Sequence, residues 1–208
     1  MADKLTVYRE ALRNIGAERL VSLTEVRPER VLLDDVWASA ARTVLSEGLW
    51  NFATRTMLLD HDEDSAVYVG YDYCFSKPDD LVRTAGVSQD GQFNDGFELW
   101  KDEANFIYAN LTTIYLEYIS DDPAYGMNMG LWSEQFARAV SAYLSYQIAL
   151  PVTSSEGTRN TCWQLYKRLL KDAKALDATE DRIRRPPVGR LVKARFANRV
   201  TSTDRGIN

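Results

Sequence analysis

Residues 28–53, PERVLLDDVWASAARTVLSEGLWNFA, carry the pattern of a long helix that is buried in the core. Its apolar residues recur every three to four positions, with Pro28 at its start and Gly48 near its end. Proline suits the first turn of a helix, and glycine suits the position where a helix ends. We therefore predict a helix over residues 28–48 that is buried on a broad face. Two adjacent stripes form that face: Leu32, Val36, Ala40 and Val44, and Leu33, Trp37, Ala41 and Leu45.

A shorter helix is predicted before this one, because the apolar residues of segment 5–15 also have helical spacing. Gly16 marks its end, and residues 17–27 connect the two helices. Two further helices are predicted near the other end of the chain. The helical spacing that begins at Leu131 is ended by Pro151.

The last predicted helix begins with a capping box formed by Thr153 and Glu156. Its buried stripe consists of Cys162, Leu165, Tyr166, Leu169, Leu170, Ala173 and Leu176. After Asp181 the apolar pattern dissolves into Arg, Pro and Gly.

Between the second and third helices the period of the apolar residues falls to two, which is typical of strands. The clearest alternating run consists of Val67, Val69, Tyr71, Tyr73 and Phe75. Shorter strands are predicted over residues 55–59 and 114–118. Segments 97–100 and 105–108 are predicted to form a hairpin.

Turn and loop signals separate these strands. Asp102 and Glu103 are predicted to form the turn of the hairpin. Residues 77–80 carry a turn signal, and residues 86–96, which are rich in Gly, Asn and Asp, are predicted to form a loop.

The predicted fold class is α+β. A bundle of about four helices, built from residues 1–52 and 124–181, carries an inserted antiparallel β-rich region, residues 53–123. Residues 182–208 form an extended basic C-terminal arm, which has too few clustered apolar residues to fold alone.

Charge divides the chain into an acidic body and this basic arm. The net charge is −5, but residues 182–208 hold eight basic residues against one acidic residue, which gives +7. The remaining 17 basic and 29 acidic residues give the body −12. An acidic body repels nucleic acid phosphates, whereas the arm attracts acidic surfaces.

The arm is the strongest candidate for a partner-binding site. Arginine outnumbers lysine seven to one in it, and arginine suits carboxylate and phosphate alike. Leu191, Val192 and Val200 lie between the basic residues and favour a groove on a protein over DNA alone. The candidate partner-binding residues are Arg182, Arg184, Arg185, Arg190, Lys193, Arg195, Phe196 and Arg199.

Motifs for catalysis are absent from the sequence. It has no phosphate-binding loop, no dinucleotide fingerprint and no nucleophile elbow. His61, the single histidine, lies in an acidic loop, residues 60–64, whose spacing does not match a calcium-binding loop. We therefore predict no catalytic residue, no metal site, no cofactor and no enzymatic activity.

Three other features have ordinary structural explanations. The acid pairs Asp79–Asp80 and Asp121–Asp122 lie beside prolines and are typical of turns. The aromatic run 68–75 holds no Lys or Arg and favours a buried sheet face over a surface that stacks bases. Cys74 and Cys162 are predicted to be reduced packing residues.

The N-terminus lacks a signal peptide, and the apolar segment 136–150 is too short and too polar to span a bilayer. We therefore expect synthesis in a reducing cytoplasm and no membrane association.

Three stretches of this sequence resemble a known family, one of them being Ile114–Ile119 followed by Phe136–Leu150, which resembles a strand that leads into a long Ala-rich helix. Residues 38–54, ASAARTVLSEGLWNFAT, resemble the second-helix signature of the podovirus tail tubular protein A and related head-to-tail adaptors, with Leu49 as an additional residue before Trp50. Residues 73–87, YCFSKPDDLVRTAGV, resemble the family's Tyr-x-x-Pro-x-Asp-x-Leu-Arg string. The resemblance covers roughly residues 5–178.

The resemblance implies a structural virion protein of a bacteriophage, located in the neck of the tail. Such a subunit belongs to a ring, of twelve copies, that joins the portal protein to the tail nozzle protein. The helical part would form the ring, the β-rich region would meet the nozzle, and the C-terminal arm would reach onto the portal. DNA would pass through the lumen without specific binding.

Two alternatives remain open from the residues themselves. One is a tail-associated hydrolase that cuts cell-wall or capsular polysaccharide with two carboxylates. Some members of the family are said to degrade glycans, but no residues here can be matched to that activity. The other alternative is a nucleic-acid-binding module that acts through the arm.

Overall fold

The computed structural model describes residues 3–63, 67, 70–93 and 99–180, and it has the predicted α+β fold with four helices. The helices are α1 (Lys4–Asn14), α2 (Pro28–Ser46), α3 (Glu134–Thr153) and α4 (Glu156–Glu180). The strands lie between α2 and α3: β1 (Thr54–Asp60), β2 (Tyr73–Ser76), β3 (Leu81–Ser88), β4 (Trp100–Glu103), β5 (Phe106–Ala109) and β6 (Thr113–Ser120). The arm, residues 182–208, lies outside the described residues.

Helices α1 and α2 begin and end close to the predicted positions. The Asp3 carboxylate caps α1 by accepting a hydrogen bond from the Thr6 backbone N–H at 2.8 Å. Gly16 follows the helix with a φ of +73°, which glycine adopts without steric cost. Pro28 occupies the first turn of α2, where a missing N–H removes no hydrogen bond.

Helix α3 extends past Pro151, which was predicted to end it. Pro151 lies in the last turn, and the helix continues to Thr153. Pro151 lacks only the N–H that would donate to the Gln147 carbonyl oxygen, and hydrogen bonds still close the turn that follows. The Thr153 hydroxyl donates to the Ala149 oxygen at 2.7 Å, and the Ser154 N–H donates to the Leu150 oxygen at 2.9 Å. Ser154, in the left-handed conformation, ends the helix.

The predicted capping box of α4 is also wrong. Ser155 caps the helix, because its hydroxyl oxygen accepts a hydrogen bond from the Thr158 N–H at 3.1 Å. Thr153 still belongs to α3, and Glu156 is the first residue of α4.

One sheet has the strand order β1–β6–β3, with both pairs antiparallel. Strand β3 contradicts the prediction of a loop from residue 86. Register shifts between Leu81 and Arg83, and between Thr84 and Gly86, break the alternation of inward and outward residues. Because of these irregularities, the apolar residues of β3 do not alternate with the period of two that predicts a strand.

The second antiparallel sheet has the order β2–β5–β4. Strand β2 is shorter than the predicted run, because it begins at Tyr73 and the exposed Val67 lies in no strand. Residues 68 and 69 lie outside the described part of the chain. The hairpin turn lies at Ala104 and Asn105, where Ala104 has a φ of 48°.

Asp102 and Glu103, which were predicted to form that turn, are the last residues of β4. Lys77 forms an ion pair with Asp102, and Lys101 forms one with Glu103 at 2.8 Å. Because β4 is an edge strand and both acids are paired with lysines, Asp102 and Glu103 are accommodated within the strand rather than in a turn.

Two apolar cores correspond to the helices and the sheets. The largest fully buried side chains of the helical core are Trp50, Tyr8, Phe136, Leu12, Leu20, Leu33 and Leu45. The buried core of the sheets contains Phe75, Val87, Ile107, Ala109, Ile114, Leu116 and Tyr118. Burial of each large apolar side chain contributes about 1.5–3 kcal/mol to folding.

The turn after α2 joins the two cores. Trp50 is 1% exposed, and its indole N–H donates to the carbonyl oxygens of Val44 and Leu45, each at 3.1 Å, which caps the C-terminal end of α2. A Cβ atom at Gly48 would lie 2.9 Å from the Trp50 ring, so only glycine fits there without a shift of the ring. Thr54 then begins β1.

Candidate interaction surfaces

The predicted partner-binding residues fall outside the described residues: Arg182, Arg184, Arg185, Arg190, Lys193, Arg195, Phe196 and Arg199. The end of α4, the last described element, lies beside the base of the sheets. The Asp177 carboxylate accepts a hydrogen bond from the Asn51 backbone N–H at 3.1 Å, and the Asn51 side chain donates to the Asp177 carbonyl oxygen at 2.9 Å. Asn51 itself lies three residues before β1.

The acidic charge of the body is concentrated in the β-rich region. Residues 53–123 hold four basic and 15 acidic residues, a net charge of −11. The helical segments, residues 1–52 and 124–181, hold 13 basic and 14 acidic residues, a net charge of −1. Exposed carboxylates of the sheets include Asp60, Glu63, Asp72 and Asp79. The sheets therefore present a strongly anionic surface, whereas the helical part is nearly neutral.

Asp80 holds the base of the sheets together. Its carboxylate forms an ion pair with Arg55 on β1 at 3.0 Å and accepts hydrogen bonds from the hydroxyl groups of Ser120 and Tyr118 on β6. Burial alone would raise the pKa of Asp80, but these hydrogen bonds hold it below its ordinary value. Asp80 is thus an ionised structural group. Asp79 and Asp80 are neighbours in sequence and lie in a turn, as predicted.

The second acid pair, Asp121 and Asp122, lies where β6 leads toward α3. Asp121 forms an ion pair with Arg42 on α2. The Asp122 carboxylate accepts a hydrogen bond from the Ala124 N–H at 2.7 Å, which stabilises the turn. Arg42 also donates to the Leu81 carbonyl oxygen at 3.1 Å and so fastens α2 to the start of β3.

The acidic loop after β1 continues the hydrogen bonding of the sheets. The His61 N–H donates to the Thr112 carbonyl oxygen at 3.1 Å, and the Asp62 N–H donates to the Cys74 carbonyl oxygen at 2.8 Å. The His61 ring meets the Tyr73 ring edge-on, with 4.9 Å between the centroids. Within the described ranges, no group of three or more His, Cys, Asp or Glu side chains is arranged to hold a metal ion.

Exposed apolar side chains, which sequence reasoning missed, lie on the connector between α1 and α2 and on the first turn of α2. We call them the loop surface: Val21, Leu23, Val26 and Val31. Val26 is 94% exposed and Val21 is 74% exposed. Several exposed aliphatic side chains in one short segment make it a candidate contact site. The signal in the sequence was three apolar residues in a connector that has no helical or strand period.

Arginine side chains hold the backbone of this connector in place. Arg9 on α1 donates to the carbonyl oxygens of Leu20 and Val21, each at 2.8 Å. Arg30 on α2 donates to the Glu25 carbonyl oxygen at 2.6 Å, and the Glu25 carboxylate accepts from the Val21 N–H at 2.7 Å. The exposed valines are therefore presented by a hydrogen-bonded framework.

Asp34 on α2 fastens this framework to α1. Its carboxylate accepts hydrogen bonds from Lys4 and from the Tyr8 hydroxyl, each at 2.8 Å, and pairs with Arg30. Burial alone would raise the pKa of Asp34, but these partners hold it below its ordinary value. Burial and the nearby carboxylate raise the pKa of Tyr8.

A second surface lies along the seam between α3 and α4. We call it the aromatic surface: Tyr143, Tyr146, Leu150 and Trp163. The three rings are half-buried, and the Tyr146 and Trp163 rings lie 5.0 Å apart. Arg159 lies 5.0 Å from the centre of the Tyr146 ring, and Lys167 lies 5.1 Å from that of Trp163. Cations over aromatic faces are frequent in protein interfaces.

Tyr166 lies beneath the aromatic surface and packs against the Tyr143 and Trp163 rings. It is 3% exposed, and burial raises the pKa of its hydroxyl group. That hydroxyl has no hydrogen-bond partner among the described residues.

None of the described helices combines the length and the apolar composition needed to cross a bilayer. No protein-family model matches this chain, and no curated protein matches it significantly.

Proposed function

We propose that this chain is a head-to-tail adaptor of a tailed bacteriophage, a ring subunit that joins the portal protein to the tail nozzle protein. The observation that carries the proposal is the position of the residues that resemble that family. Residues 38–54 run through the end of α2 into β1, and residues 73–87 run from β2 through Asp80 into β3. Both strings therefore meet where the helical part joins the sheets.

These residues have physical roles at that junction. Gly48 makes room for the Trp50 ring, and Trp50 caps α2. Asp80 binds β1 and β6, and Arg83 donates to the Ser46 carbonyl oxygen at 3.2 Å. They join a nearly neutral helical part to an anionic sheet region, an arrangement that suits a rigid link between two different partners.

In the proposed particle, each part of the chain has its own partner. The helical part forms the ring with other copies, about twelve in number, and the β-rich region meets the nozzle. The basic arm binds an acidic surface of the portal, because its arginines can form paired hydrogen bonds with carboxylates. An anionic body favours a lumen through which DNA passes without being held.

Pull-down with the portal protein of the same phage tests the proposal. The full chain should bind, and a variant truncated after residue 181 should keep its unfolding midpoint but lose binding. A matched pair of full-length variants separates charge from length: replacement of Arg182, Arg184, Arg185 and Arg190 by Glu should abolish binding, whereas replacement by Lys should only weaken it. Full portal binding by the truncated chain would remove the arm from the mechanism, and failure of the full chain to bind would refute the adaptor function.

A further inference from the structure

Helix α3 presents different faces to α1 and to α4. The Ser145 hydroxyl donates to the Ala11 carbonyl oxygen of α1 at 3.0 Å, whereas the Tyr146 ring lies 5.0 Å from the Trp163 ring of α4. Arg9 fastens the α1–α2 connector to α1, so the loop surface belongs to the α1 side of α3 and the aromatic surface to the α4 side. A chain with two different contact faces can associate head to tail with further copies.

Charge makes the two faces complementary. Residues 17–35, which carry the loop surface, hold five acidic and three basic residues, a net charge of −2. Residues 159–174 of α4 hold five basic residues and one acidic residue, a net charge of +4. The exposed charged residues are Glu18, Arg19 and Asp35 in the first segment, and Lys167, Arg168, Lys171 and Asp172 in the second. Opposite charge steers two such faces together and disfavours pairing of either face with itself.

We infer that the loop surface of one copy docks on the aromatic surface of the next copy, so that Val21 and Val26 pack against the rings of Tyr146 and Trp163. The inference rests on the proposed ring function and names the contact that builds it. Aliphatic side chains on exposed rings, framed by opposite charges, form the apolar centre and polar rim of a typical interface.

The contact should be weak in the free chain. Four aliphatic side chains cover only part of the about 800 Å² that each partner buries in a stable interface. We therefore expect monomers at low concentration and a ring only where the portal holds many copies together, because local concentration then drives association.

Chemical cross-linking of the free chain tests the faces directly. Val26→Cys and Asn160→Cys each place a thiol on one exposed face, while the native Cys74 and Cys162 are buried. With a flexible bis-maleimide at high protein concentration, the double variant should give a ladder of dimers, trimers and larger species. Each single variant should stay mainly monomeric, because a head-to-tail contact never brings two identical faces together.

A control variant shows whether the ladder depends on the face of α4. The variant Val26→Cys with Leu58→Cys carries its second thiol on β1, away from α4, and should give no ladder. Absence of a ladder from the Val26→Cys/Asn160→Cys variant would overturn the inference. Strong dimerisation of either single variant would overturn it too, since it would indicate a symmetric contact.

A charge substitution separates this inference from the adaptor function. Val26→Asp should leave the unfolding midpoint unchanged, because Val26 is 94% exposed, but should weaken self-association about tenfold or more in sedimentation measurements. The matched control Leu58→Asp, at a side chain that is 51% exposed, should leave association unchanged. If Val26→Asp still completes the ring on the portal, the faces are wrong and the adaptor function stands. If the unaltered chain fails to bind the portal, the adaptor function fails whatever the cross-linking shows.

Discussion

Among the single residues, Asp80 shows how one carboxylate can link two strands. It joins Arg55, Tyr118 and Ser120, which lie on two different strands at the base of the sheets. The Arg55 guanidinium also lies 5.1 Å from the centre of the Tyr125 ring, beyond β6. Loss of the charge at Asp80 would leave several donors without an acceptor at once, which costs more than loss of one isolated ion pair.

Asp80→Asn should lower the free energy of unfolding by about 1–3 kcal/mol at pH 7. The pKa of Asp80 is lower in the folded chain than the about 3.9 expected when unfolded, so its stabilising contribution is complete above that value and is lost as the pH falls through the folded-state pKa. Denaturation series from pH 7 to pH 3 should therefore show a smaller loss of stability in the variant than in the unaltered chain. Asp79→Asn, at the exposed neighbour, serves as the control and should behave like the unaltered chain.

Glycine at 126 is required by a close approach of the backbone. A Cβ atom there would lie 2.0 Å from the Ser120 carbonyl oxygen, a distance that forces the turn after β6 to move. The Trp132 indole N–H donates to the Gly126 carbonyl oxygen at 2.8 Å, so such a movement would also disturb the start of α3.

Gly126→Ala should lower the free energy of unfolding by about 1–3 kcal/mol, the usual effect of an extra methyl group in a packed site. Gly157→Ala is the matched control: its nearest neighbour would be the Ser155 hydroxyl at 3.7 Å, and alanine favours the helical conformation of α4. The control should be neutral or more stable by up to about 1 kcal/mol. Equal midpoints for the two variants in urea denaturation would contradict the close approach at Gly126.

At the scale of elements, the helices could be predicted and much of the strand arrangement could not. The period of the apolar residues located all four helices, because one face of each is buried over several turns. The errors lay where local hydrogen bonds compete with simple rules. Pro151 did not end α3, because its missing N–H removes one hydrogen bond while the Thr153 hydroxyl and the Ser154 N–H still close the turn that follows.

Strands were harder to predict because their signal is short and easily interrupted. The register shifts of β3 disrupt its alternation around Gly86. Ala104 has a positive φ in the hairpin turn, but alanine is not a residue that predicts such a turn from sequence. Of the candidate surfaces, the arm was predicted from charge alone and lies outside the described residues. The loop surface needed the structure, because only the fold shows which residues of a connector remain exposed.

Phe136 lies at the centre of the aromatic packing that orders α3. It is fully buried, and its ring meets the rings of Trp50, Phe52 and Trp132 edge-on, at centroid distances of 4.8, 4.9 and 4.9 Å. Phe136→Ala should therefore lower the free energy of unfolding by about 3–5 kcal/mol. Leu150→Ala, on the same helix but 38% exposed, should change it by less than about 1 kcal/mol. Similar values for both variants in chemical denaturation would show that Phe136 is not a core residue.

At the scale of the whole molecule, charge is arranged by region. The sheets carry −11, the helical segments −1 and the arm +7, and α4 ends beside the base of the sheets. The anionic sheets repel a polyanion such as DNA, whereas the basic arm of the same chain attracts it. This opposition limits DNA binding even though the arm alone resembles a nucleic-acid-binding peptide.

Measurements of duplex DNA binding across salt concentrations test that opposition. We expect weak binding by the full chain at about 50 mM salt, and its loss near 150 mM, because each phosphate contact adds to the dependence on salt and the arm has only eight basic residues to offer. A chain truncated after residue 181 should not bind DNA at either concentration, since its net charge is −12. Tight binding by the full chain at 150 mM salt, lost on truncation, would instead favour a nucleic-acid-binding module, because a lumen lined by such arms would retain the DNA that an adaptor has to release.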